Sequence, residues 1–315
     1  MRKYSGKGNK RSRRRTILVA LALMVPLTAL GVAAPAQAEL TGIFKVFAQC
    51  PTSTPGVELC TYAQTTSGQF TIGTTTVPIN KTITLQGGAI PTGHGAEYFL
   101  YPAKNGESLS KTELNVPGGL TDLVNCTEIK GNGFLEFLER ETCKAIFENK
   151  TTGVTATTEL VANEHNPALL NLEALLGSTG TGLTLPLRVH LKNPLLGSGC
   201  YIGSESSPIE LHLTDGTTSP PPPNKPIKGS PGEFIEEEET RGEKVFVVAA
   251  LHENSLVDNS YSAPVAEGCG GSFSFLIDPI LDAKLALPSA AGHNTAILTG
   301  TTRLVAAEEV IASEK

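Results

Sequence analysis

A mainly β, antiparallel, sandwich-like fold with one or two short helices and long surface loops is what this sequence predicts. Three observations predict it. In LTLPLRVHLK, Leu183, Leu185, Leu187, Val189 and Leu191 share one face, while Thr184, Pro186, Arg188, His190 and Lys192 share the other; PIELHLT repeats the pattern at Ile209, Leu211 and Leu213. That period of two belongs to antiparallel strands with one buried and one wet face. Runs rich in Thr and Val recur between Gly and Pro turn signals. The third observation is an even set of six cysteines behind an export-type leader, the pattern of a disulfide framework.

The leader is residues 1–38. Eight Lys and Arg residues between Arg2 and Arg15, with no acidic residue, precede the apolar run ILVALALMVPLTALGVAA and an Ala36-Gln37-Ala38 ending. This is a signal peptide whose cleavage leaves Glu39 first. Of the 25 basic and 31 acidic residues, 17 and 31 remain after cleavage, a net charge of −14. Such a surface disfavours nucleic acid and anionic lipid, so no nucleic-acid partner and no membrane association after cleavage are expected. The 277 residues that remain are organised as an N-terminal β region, 39–125, and a C-terminal β region, 126–315, which also suit one continuous domain.

In order along the chain, GIFKVFAQ reads as a strand, and Cys50 and Cys60 bracket a short Pro/Gly loop. GQFTIG, VPINKTITL and AEYFLYP are strands, the second with Val77, Ile79, Ile83 and Leu85 on one face and Lys81 interrupting it. NGESLSKTELNVPGGL is a turn-rich surface connection. GFLEFLERE is a short helix, CKAIFENKTTGVTATTELVA a hairpin with its turn near Thr151–Gly153, and ALLNLEALL a second helix candidate. Pro186 cannot donate to a ladder, which places the LTLPLRVHLK strand at an edge or on a bulge. TTSPPPPNKPIKGSPG and EFIEEEETRGEK form an exposed Pro-rich and acidic loop, 215–243, hung from the same domain. KVFVVAALHE, NTAILTG and TRLVAA are strands, and FSFLIDPILDAKLAL is mixed, with a helix broken at Pro279. Six cysteines allow fifteen pairings. Pairing of sequence neighbours is expected: Cys50 with Cys60, Cys126 with Cys143, and Cys200 with Cys269.

No set of residues makes a convincing catalytic or metal site. GSTGTGLT, Gly177–Thr184, matches a phosphate loop except for Leu183 where the lysine belongs, and reads as a glycine turn. Ser108–Lys111 has serine–lysine spacing without companion motifs. His190 and His212 lie on polar strand faces near Glu210; strand pairing would let them approach, but solvated histidines are the favoured reading, and no dense ligand set appears. His94, His165, His252 and His293 are isolated. Glu236–Glu239 is contiguous, unlike a calcium loop. Trp is absent, leaving Tyr98, Tyr101 and Tyr201 for any sugar stacking.

The segments TTTVPINKTITLQGG, FENKTTGVTATTEL, NPLLGSGCYIGS, TTSPPPPNKP and LPSAAGHNTAILTG together resemble an uncharacterised family of secreted, disulfide-containing actinobacterial proteins with no assigned activity. The resemblance implies a fold and an extracellular address; it carries no catalytic residues. The expectation is a non-enzymatic structural or interaction protein of the cell exterior, without cofactor, loosely wall-associated or released. The sequence identifies no partner and leaves a cell-wall or extracellular protein open as one. The alternatives are a secreted hydrolase assembled from distant groups such as His190 and His212, and a ligand- or carbohydrate-binding β module.

Overall fold

The computed structural model describes residues 39–119, 133–147 and 153–314. Ala38–Lys315 is one compact unit, so the regions on either side of residue 125 share a single body. Its first strands are β1 (Leu59–Ile72), β2 (Thr75–Ile79), β3 (Ile83–Pro91), β4 (Glu97–Tyr101), β5 (Leu114–Val116), β6 (Val154–Leu160) and β7 (Leu169–Asn171). The others are β8 (Leu183–Lys192), β9 (Tyr201–Ile202), β10 (Ile209–Leu213), β11 (Glu233–Arg241), β12 (Lys244–Asp258), β13 (Ala266–Glu267) and β14 (Thr295–Ala306). All fourteen join one antiparallel sheet whose spine runs β11-β12-β14-β1-β3-β4-β7-β8-β6-β5.

The sheet curves so that its two ends share a core. Ile72 of β1, Leu256 of β12 and Ala296 of β14 pack with Leu185 and Leu187 of β8 and Leu211 of β10. The mainly β, antiparallel expectation is therefore met, with sandwich-like packing made by one sheet facing itself. A smaller core lies on the opposite face of β1, β12 and β14, where Phe246, Val248 and Val305 meet Phe44, Phe47 and Val310. Long strands serve both cores because bulges shift their register, between Thr65 and Ser67 in β1 and between His252 and Asn254 in β12. A bulge adds one residue and so changes which parity faces inward.

Several elements differ from their sequence expectation, each for a physical reason. GIFKVF is a 3-10 helix, Gly42–Phe47, because Phe44 and Phe47, three apart, both bury. Three is the repeat of that helix, and Phe44 meets Phe246 edge-on at 5.3 Å. VPINKTITL is two strands: the chain leaves β2 after Ile79 and re-enters at Ile83, sending Lys81 out to the Glu113 carbonyl at 2.8 Å. The turn-rich stretch after residue 105 contains β5 and an antiparallel bridge from Leu109 to Leu85. The GFLEFLERE helix is longer than expected. Helix α1 (Phe134–Phe147) consumes the first arm of the expected hairpin, and β6 pairs instead with β5 and β8.

ALLNLEALL divides into β7 and α2 (Leu172–Gly177), with the Asn171 side chain accepting the Ala174 N–H at 2.9 Å as an N-cap. Helix α3 (Ser274–Leu285) continues through Pro279, forgoing only the hydrogen bond to the Phe275 carbonyl in its exposed first turn. NTAILTG and TRLVAA are one strand, β14, crossing Gly300. A side chain at Gly300 would strike the Gln64 carbonyl of β1, so this glycine permits close backbone approach rather than ending the strand. Helix α4 (Ala307–Ser313) follows without a sequence signal that had marked it.

Strand β8 is central, not an edge strand. Along one side it pairs with β6 at residues 187–192 and with β7 at 183–184; along the other it pairs with β10 and β9. Pro186 falls between the β6 and β7 pairings, where the chain makes the excursion 161–168. Its carbonyl accepts the Val161 N–H at 3.0 Å, and the missing donor faces this gap. Antiparallel geometry directs a residue's N–H and C=O to the same side, so no ladder bond is lost.

The acidic run is also not part of a loop. EFIEEEETR is strand β11, hairpin-paired with β12. Alternation sends Glu237 and Glu239 to one face and Glu236 and Glu238 to the other. Glu239 accepts from Arg241 Nε at 2.7 Å and from the Ile43 N–H at 2.8 Å. Glu237 receives Arg303 Nη2 at 2.8 Å and Nε at 2.9 Å, with His252 Nε2 3.0 Å away. The hydrogen bonds from Arg303 hold the Glu237 carboxyl below its ordinary range, against the opposing effect of burial. A depressed folded-state value contributes stability above the unfolded carboxylate range and loses it as pH falls. Arg303→Met is thus expected to cost about 2 kcal/mol at pH 7. Urea titrations at descending pH should show that difference shrinking below about pH 4.5, where unfolded carboxylates protonate.

Cys50 is bonded to Cys60 and Cys200 to Cys269, with sequence separations of 10 and 69. The pairing of Cys126 with Cys143 lies outside the described residues. So does the leader, residues 1–38.

Candidate functional site

The sheet's curvature opens a cleft of about 450 Å³ between β3, β4 and the following loop on one wall and β6, β8 and β9 on the other. The first wall is held by backbone bonds: the Gln86 N–H donates to the Ser108 carbonyl at 2.8 Å, and Gln86 Nε2 donates to the Glu107 carbonyl at 3.1 Å. Tyr101, 38% exposed, stands at the end of β4 in this wall. On the second wall Glu159 of β6 lies directly opposite Arg188 of β8. Arg188 donates through Nε at 2.8 Å and Nη2 at 2.7 Å to Glu159 Oε2.

Register places Tyr201 of β9 opposite His190 of β8. The Tyr201 ring stacks on His190 with centroids 4.4 Å apart, and the Arg188 guanidinium carbon lies 4.3 Å from its centroid. Those contacts orient the guanidinium through the ring quadrupole. They also occupy the tyrosine face. Lys111, at the mouth, pairs with Glu107 at 3.6 Å. The cleft therefore presents two cations, Arg188 and Lys111, and two carboxylates, Glu159 and Glu107, already matched in charge.

The serine–lysine pair flagged by spacing, Ser108 and Lys111, does line this cleft. Its chemistry is absent from the geometry: the Ser108 hydroxyl accepts the Ala103 N–H at 3.0 Å, and the Lys111 ammonium turns to Glu107. A serine nucleophile needs a base in hydrogen-bond reach. Strands β8 and β10 do pair, yet His212 lies opposite Thr184 whereas His190 lies opposite Tyr201 and Thr157. Six strand positions separate the two imidazoles, roughly 20 Å. His190 Nδ1 faces Glu159 at 3.5 Å, while exposed His212 sits 3.7 Å from Glu210. Among the described residues no three His, Cys, Asp or Glu side chains gather as a metal site.

The remaining candidates are dispersed. His94, His165 and His293 are exposed, and His252 belongs to the Glu237 pair. Tyr98 packs against the large core. In GSTGTGLT, Gly177 ends α2, Ser178 takes the left-handed cap conformation and Leu183 begins β8, buried. The cleft residues Gln86, Glu107 and Glu159 had no marker in the sequence; only the register of β3 and β6 brings them together. No protein-family model, curated protein or solved structure matches this chain.

Proposed function

We propose that this chain is a secreted, non-enzymatic interaction module of the cell exterior that binds a neutral, hydroxyl-rich ligand of short-saccharide size in this cleft. The observation that carries the reading is the set of pre-paired charges, Arg188 with Glu159 and Lys111 with Glu107, around a concavity of about 450 Å³. Small-ligand sites are commonly 300–1,000 Å³, in order of magnitude, with a few convergent polar groups. Paired charges retain spare donors and acceptors for hydroxyls while offering no net charge to an ionic ligand, and Tyr101 adds an exposed ring. The disulfides suit an oxidising compartment, as do the leader and the resemblance to secreted actinobacterial proteins.

Titration of the oxidised chain with soluble oligosaccharides from bacterial wall polymers, followed by amide NMR, tests this. Shifts should centre on residues 86–88, 101–111, 159 and 188. Tyr101→Ala and Gln86→Ala should each weaken binding about tenfold, equal to about 1.4 kcal/mol. Absence of shifts in that cleft would refute the ligand class, and cleavage of the added saccharide would refute the non-enzymatic assignment.

A further inference from the structure

A second surface, independent of the cleft, lies at the other end of the sheet. Strand β11 is the terminal strand of the spine, and β12 is the one strand it pairs with among the described residues. Alternate N–H and C=O groups along its nine residues therefore point outward, a template for another strand. Beside it an apolar groove of about 330 Å³ runs over the face of β11, β12 and β14 beneath α2. Its floor is Val247, Ala249, Leu251 and Leu304, and its lips are Phe234, 54% exposed, and Leu176, 65% exposed.

Charge selects the occupant. Glu236 lines the groove, and Glu238 is exposed two residues along the same face of β11. Neither makes an ion pair with a described residue, and no basic side chain lines the groove. The inward-facing partners Glu237 and Glu239, by contrast, are each neutralised by an arginine. A second copy adding its own β11 would oppose glutamates to glutamates, which acidic edge strands resist. We infer that β11 is a docking edge for an extended, basic and apolar peptide segment of another protein, which adds as a strand, sets lysines or arginines on one face against Glu236 and Glu238 with their aliphatic stems along the lip of the groove, and turns its apolar side chains to the other face.

Strand addition of this kind draws affinity from main-chain bonds and specificity from alternate side chains. The test uses the oxidised chain and a blocked decapeptide of alternating lysine and valine, with alternating glutamate and valine as control. Fluorescence anisotropy should show binding of the first peptide only, and hydrogen exchange should show slowed amides within residues 233–239. Charge reversal by Glu236→Lys with Glu238→Lys, both solvent-facing, should raise Kd at least tenfold while leaving Tm within a few degrees. Equal affinity for the reversed variant, equal binding of the acidic peptide, or binding without protection of β11 would overturn the inference. So would a sedimentation result showing that β11 is occupied by a second copy of this chain.

Discussion

Removing the bridge between Cys200 and Cys269 by the double substitution Cys200→Ala/Cys269→Ala is expected to lower stability by about 4 kcal/mol. The bond closes a span of 69 residues that includes the prolines, the acidic strand β11 and all of β12. For a loop of that size the chain-entropy model gives roughly 4 kcal/mol, lost when the unfolded chain regains its freedom. The folded state favours the bridge as well. Both cysteines are fully buried, and β9 pairs with β13 immediately beside them. Asp278 of α3 accepts the Gly268 N–H at 3.1 Å and the Cys269 N–H at 2.8 Å, and Asp282 accepts the Ala266 N–H at 2.7 Å. These bonds position the loop before the sulfurs meet, so little conformational freedom is left for the bridge to remove from the folded state. Denaturant titrations of the oxidised parent and the double variant measure the difference. A change under 1 kcal/mol would show that the carboxylates of α3, not the crosslink, hold the excursion in place.

Leu211→Ala is expected to cost about 3 kcal/mol, and its neighbour His212→Ala less than about 0.5 kcal/mol. Leu211 is 1% exposed between Leu185 on β8 and the shared core, and truncation leaves a cavity in a region where both sheet ends meet. The His212 side chain is half exposed. What matters at that position is its backbone N–H, which reaches Asp258 Oδ2 at 2.8 Å and survives the change to alanine. Surface truncations without lost partners fall near ±0.5 kcal/mol. Urea unfolding of the two variants in parallel gives the contrast directly. Comparable losses would mean that the alternation in PIELHLT does not report which face is buried.

That alternation was legible because each of its strands keeps one parity throughout. LTLPLRVHLK and PIELHLT coincide with β8 and β10, with the apolar positions buried as the pattern required. Longer strands were harder to see. β12 buries Phe246 and Val248 in one core, then shifts at Glu253 and buries Leu256 in another, so no single period describes it. EFIEEEETR looked like a solvated charge run because its inward glutamates are satisfied by Arg241, nearby in sequence, and by Arg303, which is far from it. The first helical segment, GIFKVF, carried strand-forming residues that burial at a spacing of three overruled.

The cleft is the clearest case of information held only in three dimensions. Arg188 and Tyr201 drew notice as members of a strand face and an aromatic set, but Glu159 and Gln86 had no motif to mark them. Antiparallel pairing puts Glu159 against Arg188 across 29 residues, and sheet curvature carries β3 and its following loop to the opposite wall.

By itself the sequence determined that this chain is a pleated, antiparallel protein, because a two-residue repeat leaves one face apolar whatever the neighbours are. It also supplied the six cysteines and the acidic balance. Tertiary structure alone decided which strand lies beside which, that Pro186 faces a gap in a central ladder, and that the glutamates of β11 divide between a neutralised and an open face. The physical reason is that periodicity encodes which side of a strand is buried, whereas pairing register and bulges depend on contacts between residues far apart in the chain.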